Sequence, residues 1–306
     1  MRIGGMHKAT RLASQEPEVF RVRGLVYDSM GAISHAILEF DEAIRLDPGF
    51  ALGYGGRGAA HFDQGAFDQA ISNFTQAITL DPTDAYFFNY RGLAYVGKEQ
   101  YDQAIADYDE AIRLDSDDSE NLARYHFNRG LAFALKKQYH QAIADYDEAI
   151  RLDADDSESL MDDHYNRGIS FLYMKEFDKA IEDFTRVLDL ETSSQSCDAR
   201  VLLFRGTAYL NKENWDLAIM DFDGMIRLEP QCAEAYLERG KAYLGKGILE
   251  RAIKDLGKAI QLDGSDASAY LQRSLAYEKN GDTTKAKKDY KKAIQLDPCL
   301  AKGKDV

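Results

Sequence analysis

Cysteine, proline and tryptophan are scarce: the 306 residues include three cysteines, five prolines and one tryptophan. Cys197, Cys232 and Cys299 are odd in number, far apart and without a Cys-x-x-Cys pair, which argues against a disulfide framework or a zinc cluster. Free thiols in a reducing cytoplasm are the expectation. No apolar run approaches the roughly 18–20 residues that span a bilayer. The opening stretch MRIGGMHKATRLAS is basic but has no continuous hydrophobic core, so it does not read as a secretory signal. Positive charge is also short, with 38 Lys and Arg against 52 Asp and Glu, a formal net charge of −14. No basic stripe offsets that acid, so nucleic acid is not an expected partner. A phosphate-cradling Gly loop, a His-Glu-x-x-His pair and a nucleophile elbow are all missing. The sequence therefore names no catalytic residue, cofactor or metal site, and it does not read as an enzyme.

What the chain has is repetition. Residues 100–120 read QYDQAIADYDEAIRLDSDDSE and residues 138–158 read QYHQAIADYDEAIRLDADDSE, differing only at Asp102/His140 and Ser116/Ala154. Copies this close, among looser echoes, indicate an array. Arg-Gly recurs at Arg23-Gly24, Arg57-Gly58, Arg91-Gly92, Arg129-Gly130, Arg167-Gly168, Arg205-Gly206 and Arg239-Gly240, with Arg273-Ser274 as the eighth. The steps between them are 34, 34, 38, 38, 38, 34 and 34 residues. Twelve residues after each Gly (or Ser274) stands an Ala, from Ala36 to Ala286, and four further on a large apolar residue, from Phe40 to Tyr290.

Two antiparallel helices explain those types. Gly on the first and Ala on the second remove bulk so that the axes approach closely, and the aromatic one turn past the Ala fills the space below. Asp47-Pro48, Asp81-Pro82, Glu229-Pro230 and Asp297-Pro298 end second helices. On these residues the chain resembles the tetratricopeptide repeat (TPR) family over roughly residues 17–300. The resemblance implies an all-α fold, a right-handed superhelical solenoid of eight helix-turn-helix hairpins. The units begin near residues 17, 51, 85, 123, 161, 199, 233 and 267. Residues 1–16 form an N-terminal lead-in, with a short helix expected around Met6–Leu12, and residues 301–306 form a tail too short for a further stable helix. In the last unit Lys287 replaces the isoleucine found at Ile37 and its equivalents. Lysine there suits a capping unit with no successor, so the array is expected to end there.

The residue before the Gly is usually apolar in that family but is always Arg here. The second helices supply Glu39, Asp107, Asp145, Asp183, Asp221, Asp255 and Asp289, with Asn73 the exception. A stacked Arg–acid ladder that holds helices in register is the expected result, rather than an anion-binding arginine row that matched acids would neutralise. His126 and His164 stand where the family prefers an aromatic, so core packing is expected of them rather than metal binding.

Three connectors are longer by four residues and lack the proline. Four residues is close to one turn, so the central first helices are expected to start one turn early and project as a shelf. Asp117 with Glu120, Asp155 with Glu158, and Thr192 with Gln195 fit capping-box spacing. The acidic inserts SDDSE and ADDSE lack the Gly and distant Glu of a calcium loop and read as helix caps.

The resemblance further implies that a concave wall carries the binding function. Its expected peptide-binding groove comprises Tyr86, Asn89, Leu93, Arg124, Phe127, Asn128, Leu131, Tyr165, Asn166, Ile169, Tyr173 and Arg200. Asn128 and Asn166 occupy the place where other members hold a peptide backbone. No three consecutive repeats carry the Lys and Asn set that clamps a C-terminal carboxylate, so chaperone tails are not the expected partner. The expected function is a protein–protein interaction scaffold or adaptor binding a peptide or helix. The alternative is a sensor whose pitch changes when a small ligand or signalling peptide binds.

Overall fold

The computed structural model describes residues 16–115, 118–152, 157–191 and 199–300. Among them are helices and turns and no strand. They belong to two compact units, residues 1–155 and 156–306. In the first unit the helices are α1 (Pro17–Ser29), α2 (Ile33–Leu46), α3 (Ala51–Asp63), α4 (Phe67–Leu80), α5 (Ala85–Gly97), α6 (Tyr101–Leu114), α7 (Ser119–Leu135) and α8 (Tyr139–Leu152). In the second they are α9 (Ser157–Tyr173), α10 (Phe177–Glu191), α11 (Ala199–Asn211), α12 (Trp215–Leu228), α13 (Ala233–Lys246), α14 (Leu249–Leu262), α15 (Ala267–Lys279) and α16 (Thr283–Leu296). Odd-numbered helices are first helices and even-numbered ones second helices. The all-α repeat fold expected from the sequence is the one observed.

Close approach within a hairpin rests on the Gly and the aromatic. A Cβ on Gly92 would lie 2.7 Å from the Tyr108 ring, and one on Gly206 would lie 2.7 Å from that of Phe222. Ala36, Phe40, Ala70, Phe74, Ala104, Tyr108, Ala142, Tyr146, Ala180, Phe184, Ala218 and Phe222 are all fully buried. Each hairpin turns through one left-handed residue, glycine at Gly31 (φ 72°) and a charged residue at Glu213 (φ 58°). The second helices α2, α4, α14 and α16 end in an extended Asp, whose carboxylate accepts the backbone N–H two residues on: Gly49 to Asp47 at 2.8 Å, Thr83 to Asp81 at 3.0 Å, Ser265 to Asp263 and Cys299 to Asp297 at 2.9 Å. After α2, α4 and α14 that bond sets the turn into the next first helix.

The added turn is present in α7 and α9, each of 17 residues against 13 in α1, α3 and α5. The cap of α7 differs from the expected one. Asp118, not Asp117, stands at its N-terminus and accepts the Asn121 N–H at 3.2 Å. Three residues after Asp118 stands Asn121, not the Glu or Gln of a capping box, and the helix starts directly after Asp118. Asp155, and Thr192 with Gln195, lie outside the described residues, as do Cys197 and the Met6–Leu12 segment.

The Arg–acid ladder forms. Arg91, Arg129, Arg167, Arg205, Arg239 and Arg273 each grip the aspartate 16 residues on with two bonds of 2.6–3.0 Å. Arg23 reaches Glu39 at 2.5 Å, and Arg57 donates to Asn73 at 2.7 Å. Several arginines also reach back to the preceding second helix, Arg57 to Asp41, Arg129 to Asp109 and Arg239 to Asp223. One guanidinium thus ties its own hairpin to its predecessor. His126 and His164 join this ladder, Nδ1 lying 2.9 Å from Asp145 and 2.8 Å from Asp183. In five of the other repeats an aromatic at that place lies under the guanidinium, as Phe88 under Arg91 and Tyr236 under Arg239, and in the sixth it is Leu202.

Candidate functional site

The first unit holds a cleft of about 260 Å³ where α5 and α7 begin, lined by Thr83, Asp84, Ala85, Tyr86, Leu114, Asp115, Asn121, Arg124 and Tyr125. One wall comes from the turn that the longer connector adds to α7. Asp118 holds that turn, accepting the backbone N–H of Asn121 and, at 2.9 Å, its side-chain amide. Asn121 in turn accepts from Arg124, whose guanidinium also lies 5.9 Å from the centre of the Tyr125 ring. Tyr125 donates to Asp115 at 3.2 Å; burial and that carboxylate push its phenol up to about 12. Opposite, Tyr86 is 39% exposed, with its ring 4.2 Å from that of Tyr90.

Asp84 begins α5 and accepts the Tyr86 N–H at 2.9 Å. Burial raises its carboxyl above the ordinary 3.8, helped by the Asp81 and Asp115 carboxylates and opposed by the Tyr86 N–H. A carboxyl raised in the folded state leaves stability unchanged below pH 3.8. It removes stability as pH climbs through the folded value. Asparagine caps a helix as well as aspartate. Asp84→Asn should therefore raise the melting temperature at pH 7 and leave it nearly unchanged at pH 3.5. A gain of equal size at both pH values would show that ionisation is not its source.

Of the expected groove residues in the first unit, the cleft unites Tyr86 and Arg124. Asn89 and Asn128 are 2% and 9% exposed, and the Asn128 amide donates to the Asn89 oxygen at 2.9 Å. That bond joins α5 to α7 inside the protein. Leu93 packs on the core around Ala104, Tyr108 and Ala132; Leu131 is half-buried. The Phe127 ring lies 6.0 Å from that of Tyr146. In the second unit, Tyr165 meets Phe184 and Phe204 edge-on at 6.2 and 5.9 Å, and Ile169 is half-buried. The Asn166 amide donates to the Asp162 carbonyl at 2.8 Å, while Tyr173 and Arg200 are exposed. Asn128 and Asn166, equivalent in the repeat, thus differ in the fold.

Asp84, Asp115, Asn121 and Tyr125 were missed by the groove reading, which followed the concave positions alone. Asn121 carried the clearest signal, since it lies in the added turn. A larger cleft in the second unit, about 470 Å³, is lined by His164, Arg167, Glu182, Asp183, Thr185, Arg186 and Asp189. His164, Arg167 and Asp183 are already bonded together there. Among the described residues no group of His, Cys, Asp and Glu could hold a metal ion, and no helix is long and apolar enough to cross a membrane.

Comparison with known proteins follows the same repeats. Residues 85–118, 123–156 and 162–192 match the pattern described as "Tetratricopeptide repeat", as do 203–270 and 267–298 in related patterns; residues 58–98 match "TPR repeat". No curated protein matches the chain significantly. Among solved structures it is similar to the C-terminal part of a TPR repeat-containing protein from Cytophaga hutchinsonii. That likeness has 20% identity and a TM-score of 0.63, covering 81% of this chain and 98% of the other. It is similar also to PilF of Pseudomonas aeruginosa (20% identity, TM-score 0.60, 72% and 94% covered). A third is YrrB, a TPR protein with an unusual peptide-binding site (23% identity, TM-score 0.54, 64% and 95% covered). At these identities the likeness is one of fold.

Proposed function

The chain belongs to the tetratricopeptide repeat family, and from that premise we propose that it is a non-catalytic scaffold binding a partner peptide or helix, with the cleft at the start of α5 and α7 as an anchor site. TPR repeats imply protein or peptide partners, and YrrB, of similar fold, has a peptide-binding site. The observation that carries the reading is the cleft itself. It is built on the one-turn extension that departs from the regular 34-residue unit, and it brings together Tyr86 and Arg124 from successive first helices. At about 260 Å³ it falls below the range of sites that enclose a whole small ligand, and it suits one large side chain of an extended partner. The tyrosine rings offer an apolar wall, while Arg124, Asp84 and Asp115 offer polar groups at the rim. Tyrosine and arginine are the residue types that most often dominate such contacts. The acidic surface favours protein over nucleic-acid partners.

A random dodecapeptide library displayed on phage and panned against the intact chain tests this directly. Enriched peptides, measured by fluorescence anisotropy, should bind Tyr86→Ala and Arg124→Ala at least tenfold more weakly, with unchanged far-UV circular dichroism. Undiminished affinity in both variants would reject the cleft. Failure to enrich any peptide would count against the scaffold reading itself.

A further inference from the structure

In the later repeats, the residue two places after the repeat Gly (or Ser274) is sealed beneath the second helix of the preceding repeat. Ala60, Ala94, Ala132, Ala208, Ala242 and Ala276 are each 0% exposed. Ala60 packs with Ala36 and Phe40, and Ala132 with Ala104 and Tyr108. The residue two places before that Gly meets the same aromatic: a Cβ on Gly56 would lie 2.4 Å from the Phe40 ring, and Phe204 stacks on Phe184 at 5.9 Å. In α1 those two places are Val22 and Val26, which are 46% and 54% exposed, with Leu25 and Met30 exposed beside them. Nothing among the described residues covers this face.

The chain immediately before α1 carries the register of the missing cover. A large apolar residue stands eleven residues before the next first helix in Phe40, Phe74, Phe222 and Leu256; eleven before Pro17 is Met6. Eight before comes Ala43, Ala77 or Ala259, and here Ala9; five before comes Leu46, Leu80, Leu228 or Leu262, and here Leu12. Arg11 matches Arg45 and Arg227. The correspondence covers the last two turns only, since Arg2 stands where Ala36 does and Thr10 where Ile44 does. Residues 13–16 then match the four-residue link 47–50 between α2 and α3.

We propose that residues 6–12 dock on α1 as a half-repeat, Met6 seating between Val22 and Val26 and Ala9 against Val19. The own segment is preferred to a second copy because a four-residue link holds it beside that face at high effective concentration.

The equivalent of Ala9 and Val19 in the next repeat is Ala43 and Gly53, where a Cβ on Gly53 would lie 3.8 Å from that of Ala43. That is the usual Cβ separation of a disulfide. In a chain with Cys197, Cys232 and Cys299 changed to serine, Ala9→Cys/Val19→Cys should close within one molecule under glutathione oxidation. It should do so at least tenfold faster than Ala9→Cys/Glu18→Cys, whose tether is nearly the same length. Equal rates would overturn the proposal, and so would a disulfide-linked dimer, which would mean that a second copy covers α1. In the otherwise native chain, Met6→Glu should speed hydrogen exchange of the α1 amides at least tenfold while Ala13→Glu does not. Unchanged exchange in Met6→Glu would equally overturn it.

Discussion

Replacing Arg239 by methionine is expected to destabilise the second unit by about 3–5 kcal/mol, chiefly through the carboxylate it strands. Asp255 is 6% exposed and accepts two bonds from Arg239, of 2.7 and 2.9 Å. Burial opposes the charge on Arg239, but the Asp255 and Asp223 carboxylates outweigh it and raise the guanidinium above its ordinary range. Methionine keeps an apolar stem but gives up the guanidinium's place over the Tyr236 and Tyr243 rings, 5.5 and 6.0 Å away, which is worth about 0.5–1 kcal/mol each. The greater part of the loss measures Asp255 left without its arginine. Removing the stranded charge as well should restore most of it, since a buried ion pair and a well-packed apolar pair differ little in net stability. Arg239→Met/Asp255→Leu should accordingly be much more stable to urea than Arg239→Met alone. The outer bridge is another matter: Asp223 has a side chain 40% exposed, and Asp223→Ala should cost under about 1 kcal/mol. A double variant no more stable than the single one would mean that the ladder holds the helices by something other than charge matching.

This ladder was legible because its geometry is local. Arginine and acid sit on the two helices of one hairpin, always 16 residues apart, and the sequence repeats both. Its second grip was not legible, because Arg129 to Asp109 and Arg239 to Asp223 cross from one repeat to the one before. That crossing depends on how hairpins stack, which spacing within a unit does not fix. It also accounts for the exception at Asn73: Arg57 lacks an acid within its hairpin but finds Asp41 one repeat back, at 2.5 Å.

The candidate site divides along the same line. Helical position placed Tyr86 and Arg124 on successive first helices, and both line the cleft. Position failed for Asn128, which is buried and bonded to Asn89 of the preceding repeat, a residue 39 positions away. Asn166 has the same place in its own repeat, yet its amide turns back to the Asp162 carbonyl of its own helix. Identical repeat positions thus acquire different roles. The cap of α7 failed for a smaller reason, because Asp117 and Asp118 are chemically alike, capping-box spacing favours the first, and the helix starts after the second.

Phe222→Ala is expected to cost about 3–5 kcal/mol, and Tyr290→Ala, its counterpart in the last repeat, considerably less. Phe222 is fully buried and packs with Leu203, Ala218 and Met225 of its own hairpin and with Ala235 and Ala242 of the next. Several of its neighbours are small, and Gly206 lies close enough that a Cβ there would be 2.7 Å from the ring. Small residues on rigid helices cannot reach inward to fill the space, so most of the cavity should persist and the cost should fall at the upper end of this range. The loss also falls on two quantities at once, the stability of one hairpin and its coupling to the next. In a linear array each repeat is held mainly by its neighbours, so weakening that coupling should broaden the urea transition as well as lower its midpoint. Tyr290 is only half-buried, and among the described residues no later hairpin packs over it. Its removal therefore leaves a space open to water rather than a sealed cavity, and it disturbs no following interface among the described residues. Equal losses for the two variants would mean that burial by the next hairpin contributes little and that each hairpin is stable largely on its own.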